Sequence, residues 1–177
     1  MSLEWYLYPE TYKITPAKAS GDYFVNILLK TFKEKIVDKY EITPEKLYET
    51  LKLASIVERE EKNVANKPTV AWILTKRLIE GRRVDADYTL CYHYKLTYKG
   101  CSPLFIASNI QDDNPYNTRV VAGLPPTPIS NPSLETFDAS LNYEISEYYY
   151  YLHDNNGWIH YAESLREHNV NKNNYIR

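Results

Sequence analysis

Apolar positions recur at helical spacing through the first eighty residues. In SGDYFVNILLKTFKEKIVDK (20–39), Phe24, Ile27, Leu28, Phe32 and Ile36 fall on one face, which predicts a helix with Ser20 or Asp22 as its N-cap. A second predicted helix starts after Thr43, a good N-cap, with Pro44 in the first helical position, and runs through Glu58. A third spans about 68–80, with Val70, Leu74 and Leu78 in phase and Gly81 placed to end it. The second helix breaks its own pattern. Leu47, Leu51 and Ala54 stack into one stripe at roughly 100° per residue, and the next step of four lands on a carboxylate, Glu58. Arg59 and Glu60 point to the polar side with Glu49 and Lys52, and Glu61 sits at the edge of the stripe.

The pattern changes after Gly81. Residues 88–98 (YTLCYHYKLTY) are rich in β-formers and read as a strand or an irregular aromatic segment. Residues 112–133 (DDNPYNTRVVAGLPPTPISNPS) are too rich in Pro, Asn and Gly for helix or sheet. A loop this long in a compact domain is functional or disordered, and its dense turn chemistry argues for order. Leu134 to Leu141 reads as a short helix. Residues 146–152 and 158–162 form a hairpin pattern around DNNG, with the YYYY run at 148–151 as strand. A short polar helix follows from about Ala162. No repeat and no linker divides the chain. The expectation is a single α+β domain over 1–177, with a helical N-terminal half and a β-rich, loop-rich C-terminal half.

Composition narrows the function classes. The chain has 177 residues, enough for one domain with a real core. A net charge of -2 with both signs interspersed offers no basic face for a phosphate backbone, so no nucleic acid partner is expected. No run approaches the roughly 20 apolar residues of a membrane span. The 18 tyrosines and three tryptophans suit either a half-wet core or wet surfaces such as sugar sites and interfaces. Cys91 and Cys101 either pair or remain free thiols. His153, His160 and His168 have spacings that fit no metal-ligand motif, and neither a metal nor a cofactor is expected.

A carboxylate on an apolar stripe is costly when ionised and unpaired, so burial is expected to raise the pKa of Glu58 and suit it to general-acid work. Glycosidic cleavage needs such an acid, because the leaving oxygen must be protonated as its bond breaks. The alternative is a structural Glu58 paired with Arg77, Arg82 or a helix N-terminus. A second carboxylate would come from Asp85 or Asp87 in RVDADYT, although loop aspartates more often cap turns.

LASIVERE, NPYNT, GLPPTPISNP and HYAESLREHN, in this order, together with the opening EWYLYPETYKI, resemble the YceG-like, MltG-type endolytic murein transglycosylases over nearly the whole chain. The resemblance implies cleavage of the β-1,4 bond between N-acetylmuramic acid and N-acetylglucosamine in peptidoglycan glycan strands. The product would carry a 1,6-anhydro muramic acid end, because the sugar's own 6-hydroxyl replaces water. One acid/base glutamate suffices, and the resemblance places it in the SIVE motif, at Glu58. It aligns Asp87 and Thr89, then Tyr116, Asn117, Thr118 and Arg119, then Asn131, and finally His160, His168 and Asn169 with family segments expected to wall the glycan groove. Four positions depart from the family pattern: Tyr88 for Pro, Arg119 for Tyr, Thr127 for Gly and Ser133 for Gly.

The family's N-terminal membrane anchor and LysM-like subdomain do not match any part of this chain. The resemblance therefore implies a fragment holding the catalytic domain or a divergent short member. It further implies the outer face of the bacterial cytoplasmic membrane, attachment only through that missing anchor, and peptidoglycan synthases as partners. Rival readings are a catalytically silent glycan-binding module, a scaffold of the cell-wall machinery, and a hydrolase using water with Asp87 as base.

Overall fold

The computed structural model describes residues 3–16, 19–97 and 99–176. Among the described residues, seven α-helices and one two-stranded sheet follow in order: α1 (Gly21–Phe32), α2 (Pro44–Glu60), α3 (Lys67–Ile79), α4 (Asp87–His93), α5 (Pro103–Asn109), α6 (Leu134–Leu141), β1 (Tyr150–His153), β2 (Ile159–Ala162) and α7 (Leu165–Tyr175). The three N-terminal helices lie close to where the apolar spacing predicts them. Ser20, not Asp22, caps α1 by accepting from the Tyr23 amide, and a π-helical turn (Lys33–Val37) carries the chain onward from Phe32. Thr43 caps α2 through the Lys46 amide, and Gly81 takes φ +66 just beyond α3, the left-handed turn that glycine adopts without a Cβ penalty.

Helix α2 is the axis of the molecule. Leu51 and Ala54 face one apolar cluster with Tyr8, Phe32, Ile36 and Phe137. Leu53, Ile56 and Val57 face another with Val70, Ala71, Leu74, Val84 and Ile129. Being buried on two sides explains why its sequence runs apolar through LASIV instead of keeping one narrow stripe.

One local expectation is corrected. The 88–98 segment is not a strand: it opens as α4, which ends at His93, residues 94–97 are irregular, and Tyr98 lies outside the described residues. Its tyrosines and Thr89 favour strand by propensity, but packing against α2 and its place just after the buried Val84 and Ala86 override that weak preference. Helix α5, with Ser102 as N-cap and Pro103 in its first turn, was not anticipated. Strand among the described residues of the second half amounts to one antiparallel hairpin, which pairs Tyr150 with Ala162 and His153 with Ile159. Cys91 and Cys101 are joined as a disulfide, which ties α4 to the approach of α5.

Residues 110–133 hold neither α-helix nor strand, yet they are anchored to α2. The Ile129 amide donates to Ser55 Oγ at 2.9 Å, and Ser130 Oγ donates to the Ser55 carbonyl at 2.9 Å. Arg77 on α3 donates to the carbonyls of Val84 and Tyr149, which fixes β1 beside α3. These bonds bring the end of α2, the start of α4 and the hairpin together.

Candidate active site

Glu58 and Glu60 leave α2 in different directions and meet opposite environments. The Glu58 carboxylate points at the N-terminus of α6. Its Oε2 accepts from the Ser133 amide at 3.2 Å, Ser133 Oγ at 3.1 Å and Lys67 Nζ at 3.2 Å, and also from the Thr136 hydroxyl. Lys67 is itself buried and donates to Thr136 as well. Burial alone would raise the Glu58 carboxyl, but the Thr136 hydroxyl, Lys67 and the Ser133 amide outweigh it and hold it below the ordinary carboxylate value. That reverses the raised pKa expected from its apolar stripe. The reason is that a helix N-terminus and a buried ammonium stabilise the anion. Of the partners considered for a structural Glu58, the helix N-terminus is realised; the cation is Lys67, not Arg77 or Arg82.

Glu60 is half-buried and borders cavities instead. It lines three adjoining depressions of about 380, 490 and 310 Å³. The first continues along Asp87, Arg119, Tyr151, His153 and His168. The second runs past Tyr88 to Cys101, Ser102 and Ile106 of the disulfide segment. The third lies against Arg59, Lys62 and the hairpin. Tyr151 Oη donates to Glu60 Oε2 at 2.9 Å. Burial pushes the Glu60 carboxyl up, and the neighbouring Asp87 charge adds to this. Tyr151, His153 and Arg119 oppose them, and the result is a pKa of about 7. A carboxyl group half protonated near neutrality can give a proton and take it back.

The other expected groove residues divide. Asp87 lies in the Glu60 groove, where Arg119 Nε donates to its Oδ1 at 2.5 Å. His168 also lines it, stacked on Tyr150 with ring centroids 5.2 Å apart. Its Nδ1 is buried without a partner among the described residues, and burial, Lys172 and Arg77 hold its pKa below the ordinary value.

Thr89, Asn117 and Thr118 are fully buried, which corrects their expected place as groove walls. Thr89 Oγ1 donates to the Ala86 carbonyl and bonds with Thr118 Oγ1. Asn117 Nδ2 donates to the carbonyls of Ile110 and Asp112, and its Oδ1 accepts from the Arg119 amide. Their hydrogen-bonding capacity is consumed in holding Asp87 and Arg119 from behind.

Tyr116 bonds to Thr127 and lines a separate depression with Glu4, Tyr92 and His93. Asn131 is partly buried, with its Oδ1 unpartnered among the described residues. His160 bonds Asp154 and stacks on Tyr175, so it braces the hairpin against α7. Asn169 is exposed on α7 and is not among the residues described as lining the groove. Of the family departures, Ser133 needs no glycine conformation: its φ is -68, and its hydroxyl serves α6 and Glu58.

Comparison with known proteins fits this architecture. Residues 1–174 match the model of the YceG-like family. The chain belongs to the YceG-like family. It is 28% identical, over an alignment of 183 positions that covers 98% of its length, to an endolytic murein transglycosylase of Bacillus subtilis (strain 168), and 26% identical over 174 residues to one from Streptococcus pneumoniae serotype 2. The chain spans about half the length of the first relative (48%) and about a third of the second (31%). The crystal structure of a YceG-like protein from Listeria monocytogenes superposes with a TM-score of 0.80 at 30% identity, and the match covers 95% of this chain and 55% of that one.

The sequence placed Arg119 in a groove segment, as the structure does, but missed Glu60, Tyr151 and His153 as groove residues of this YceG-like chain. Glu60 reads as one more charge on a solvated helix face. Its only local distinction is a position two residues past the stripe; the burial that raises its pKa and its donor Tyr151, 91 residues away, both come from tertiary packing.

Proposed function

We propose that this chain is a lytic transglycosylase domain acting on peptidoglycan glycan strands, with Glu60 rather than Glu58 as its acid and then its base. The observation that carries this reading is the Glu60 carboxyl, brought to a pKa of about 7 in a groove, in a chain whose relatives are named endolytic murein transglycosylases. Protonated Glu60 gives its proton to the glycosidic oxygen between N-acetylmuramic acid and N-acetylglucosamine. The C–O bond breaks, and the leaving sugar departs with a hydroxyl. The Glu60 carboxylate, held by Tyr151, then takes the proton of the muramic 6-hydroxyl as that oxygen bonds to the anomeric carbon. The ring closes to the 1,6-anhydro product, no water is consumed, and Glu60 is protonated again. Asp87 and His168 line the same space and would orient the sugars.

A hydrolytic second reading has one observation in its favour: Asp87 shares the groove with Glu60 and is a candidate base for water. Mass spectrometry of products from un-crosslinked strands separates the two. Fragments lighter by one water than the hydrolytic product are expected from the wild type and from a folded Glu58→Gln variant. With Glu60→Gln they should fall by about 10²–10⁴-fold. Ordinary reducing ends would move the chemistry to hydrolysis. A folded Glu58→Gln variant that is inactive beside an active Glu60→Gln would return the role to Glu58.

The same proposal places the domain on the outer face of the bacterial cytoplasmic membrane, alongside peptidoglycan synthases. The Cys91–Cys101 disulfide supports this setting, because such bonds persist in oxidising compartments.

A further inference from the structure

The proposed reaction gives no part to Arg119, one of the positions where the chain departs from the family pattern. Its side chain is 30% exposed and lines the depression of about 380 Å³ that Glu60 borders. Its Nε donates to Asp87 Oδ1 at 2.5 Å, which fixes the guanidinium plane against a carboxylate that is itself 36% exposed. The backbone behind the pair is tied on both sides. The Arg119 amide donates to Asn117 Oδ1 at 3.2 Å, and the Arg119 carbonyl accepts from Arg83 Nη1 at 2.8 Å. The Ala86 amide donates to Thr118 Oγ1 at 3.1 Å, and the Asp85 amide donates to the Thr118 carbonyl at 3.2 Å. The segment that carries Asp87 and the turn that carries Arg119 are thus one block. An ion pair this exposed adds little to stability, so holding the fold together does not account for such bracing.

The pair offers the groove an acceptor beside a set of donors. Asp87 Oδ2 and both Nη groups of Arg119 make no hydrogen bond among the described residues. Glu60 is near. Burial dominates its pKa, the Asp87 charge raises it further and the Arg119 charge lowers it, so both side chains act on the acid. Because the guanidinium is matched by Asp87, the pair selects by its pattern of donors and acceptors and not by net charge. The alternating sugars of a peptidoglycan strand differ in that pattern. On the proposed path Glu60 protonates the 4-oxygen of an N-acetylglucosamine. The neighbouring 3-position carries a free hydroxyl and the 2-position an acetamido group, so a proton donor and a carbonyl acceptor follow the leaving oxygen around the ring. In N-acetylmuramic acid the 3-oxygen is a lactyl ether and has no proton to give.

We propose that Asp87 and Arg119 form the subsite for the leaving N-acetylglucosamine, with Asp87 Oδ2 accepting from its 3-hydroxyl and the Arg119 guanidinium donating to its acetamido carbonyl. This rests on the reading that the Glu60 groove cuts a peptidoglycan strand. The subsite sets the register of cutting. A strand displaced by one sugar brings a lactyl ether against Asp87, whose oxygen then has nothing to accept. A site built to bond a hydroxyl rejects a ring that lacks one, because its own polar group is left unpaired.

The test is calorimetric binding to the Glu60→Gln protein of soluble tetrasaccharides made of two N-acetylglucosamine–N-acetylmuramic acid units. One is natural, one is 3-deoxy at the internal glucosamine and one is 2-deoxy there. Each deletion should weaken binding on the order of tenfold. Adding Asp87→Ala should shrink the 3-deoxy gap to about twofold, and adding Arg119→Met should do the same for the 2-deoxy gap. A merely structural pair would weaken all three sugars in proportion and leave both gaps as they were. That result, or equal binding of the three sugars by the Glu60→Gln protein, would overturn the proposal; the second comparison holds even where an added substitution prevents folding. Both gaps in a protein whose wild type leaves no anhydro ends on intact strands would sink the lytic reading and spare the subsite. Anhydro ends without the gaps would do the reverse.

Discussion

Two glutamates two positions apart on α2 show how far neighbours decide what a residue does. Glu58 is an anion shared by the first turn of α6 and the buried Lys67. Its pKa is depressed in the folded chain, so it contributes stability that is present above the unfolded carboxylate value of about 4.3 and is lost as pH falls through the lower folded value. Glu58→Gln should therefore cost about 2–3 kcal/mol at pH 7, because it leaves the Lys67 ammonium without its counter-charge. Thermal melts should show the deficit shrinking as the wild type is taken toward pH 3. A deficit independent of pH would contradict the ionic account. The inward position of Glu58 was legible from the stripe of Leu47, Leu51 and Ala54. Its partners were not, since Ser133 and Thr136 lie 75 and 78 residues away.

At the scale of elements, the helices that reveal themselves are those whose stability comes from a local pattern. Thr43–Pro44 and the regular apolar spacing of α2, and Gly81 after α3, are short-range signals, and those elements form close to where they are expected. Helix α4 was hidden because tyrosine and threonine favour strand by propensity, while burial of Leu90 and Cys91 against the core decides otherwise. The disulfide then fixes the segment between α4 and α5, a separation of ten residues. Closing a loop of that size should contribute about 2–3 kcal/mol. Melting with and without a reductant should show this loss. Because Cys101 lines the Glu60 groove, reduction should also raise KM for glycan strands. Unchanged kinetics on the reduced protein would mean that α5 is no wall of the site.

For the whole molecule, the groove exists only where six separate segments meet: the end of α2, Arg77 of α3, the start of α4 with the residues just before it, the Arg119 turn, β1 and α7. Its pH behaviour belongs to the assembly. In the proposed mechanism Glu60 must carry a proton to act as the acid, so kcat/KM should fall as pH rises through about 7. Tyr151→Phe removes a donor that stabilises the carboxylate, so the limb should move upward by as much as about one pH unit. Initial rates between about pH 5 and 9 would show it, and a limb that stays in place would remove Tyr151 from the mechanism. The chain by itself determined the helical first half, the hairpin around DNNG, the ordered Pro- and Asn-rich loop and the family likeness, because each rests on residues near one another in sequence. Tertiary structure alone decided which glutamate faces the groove, that Cys91 and Cys101 pair, and that Thr89, Asn117 and Thr118 are scaffold. Those outcomes depend on burial and on partners tens of residues away, which no local pattern encodes.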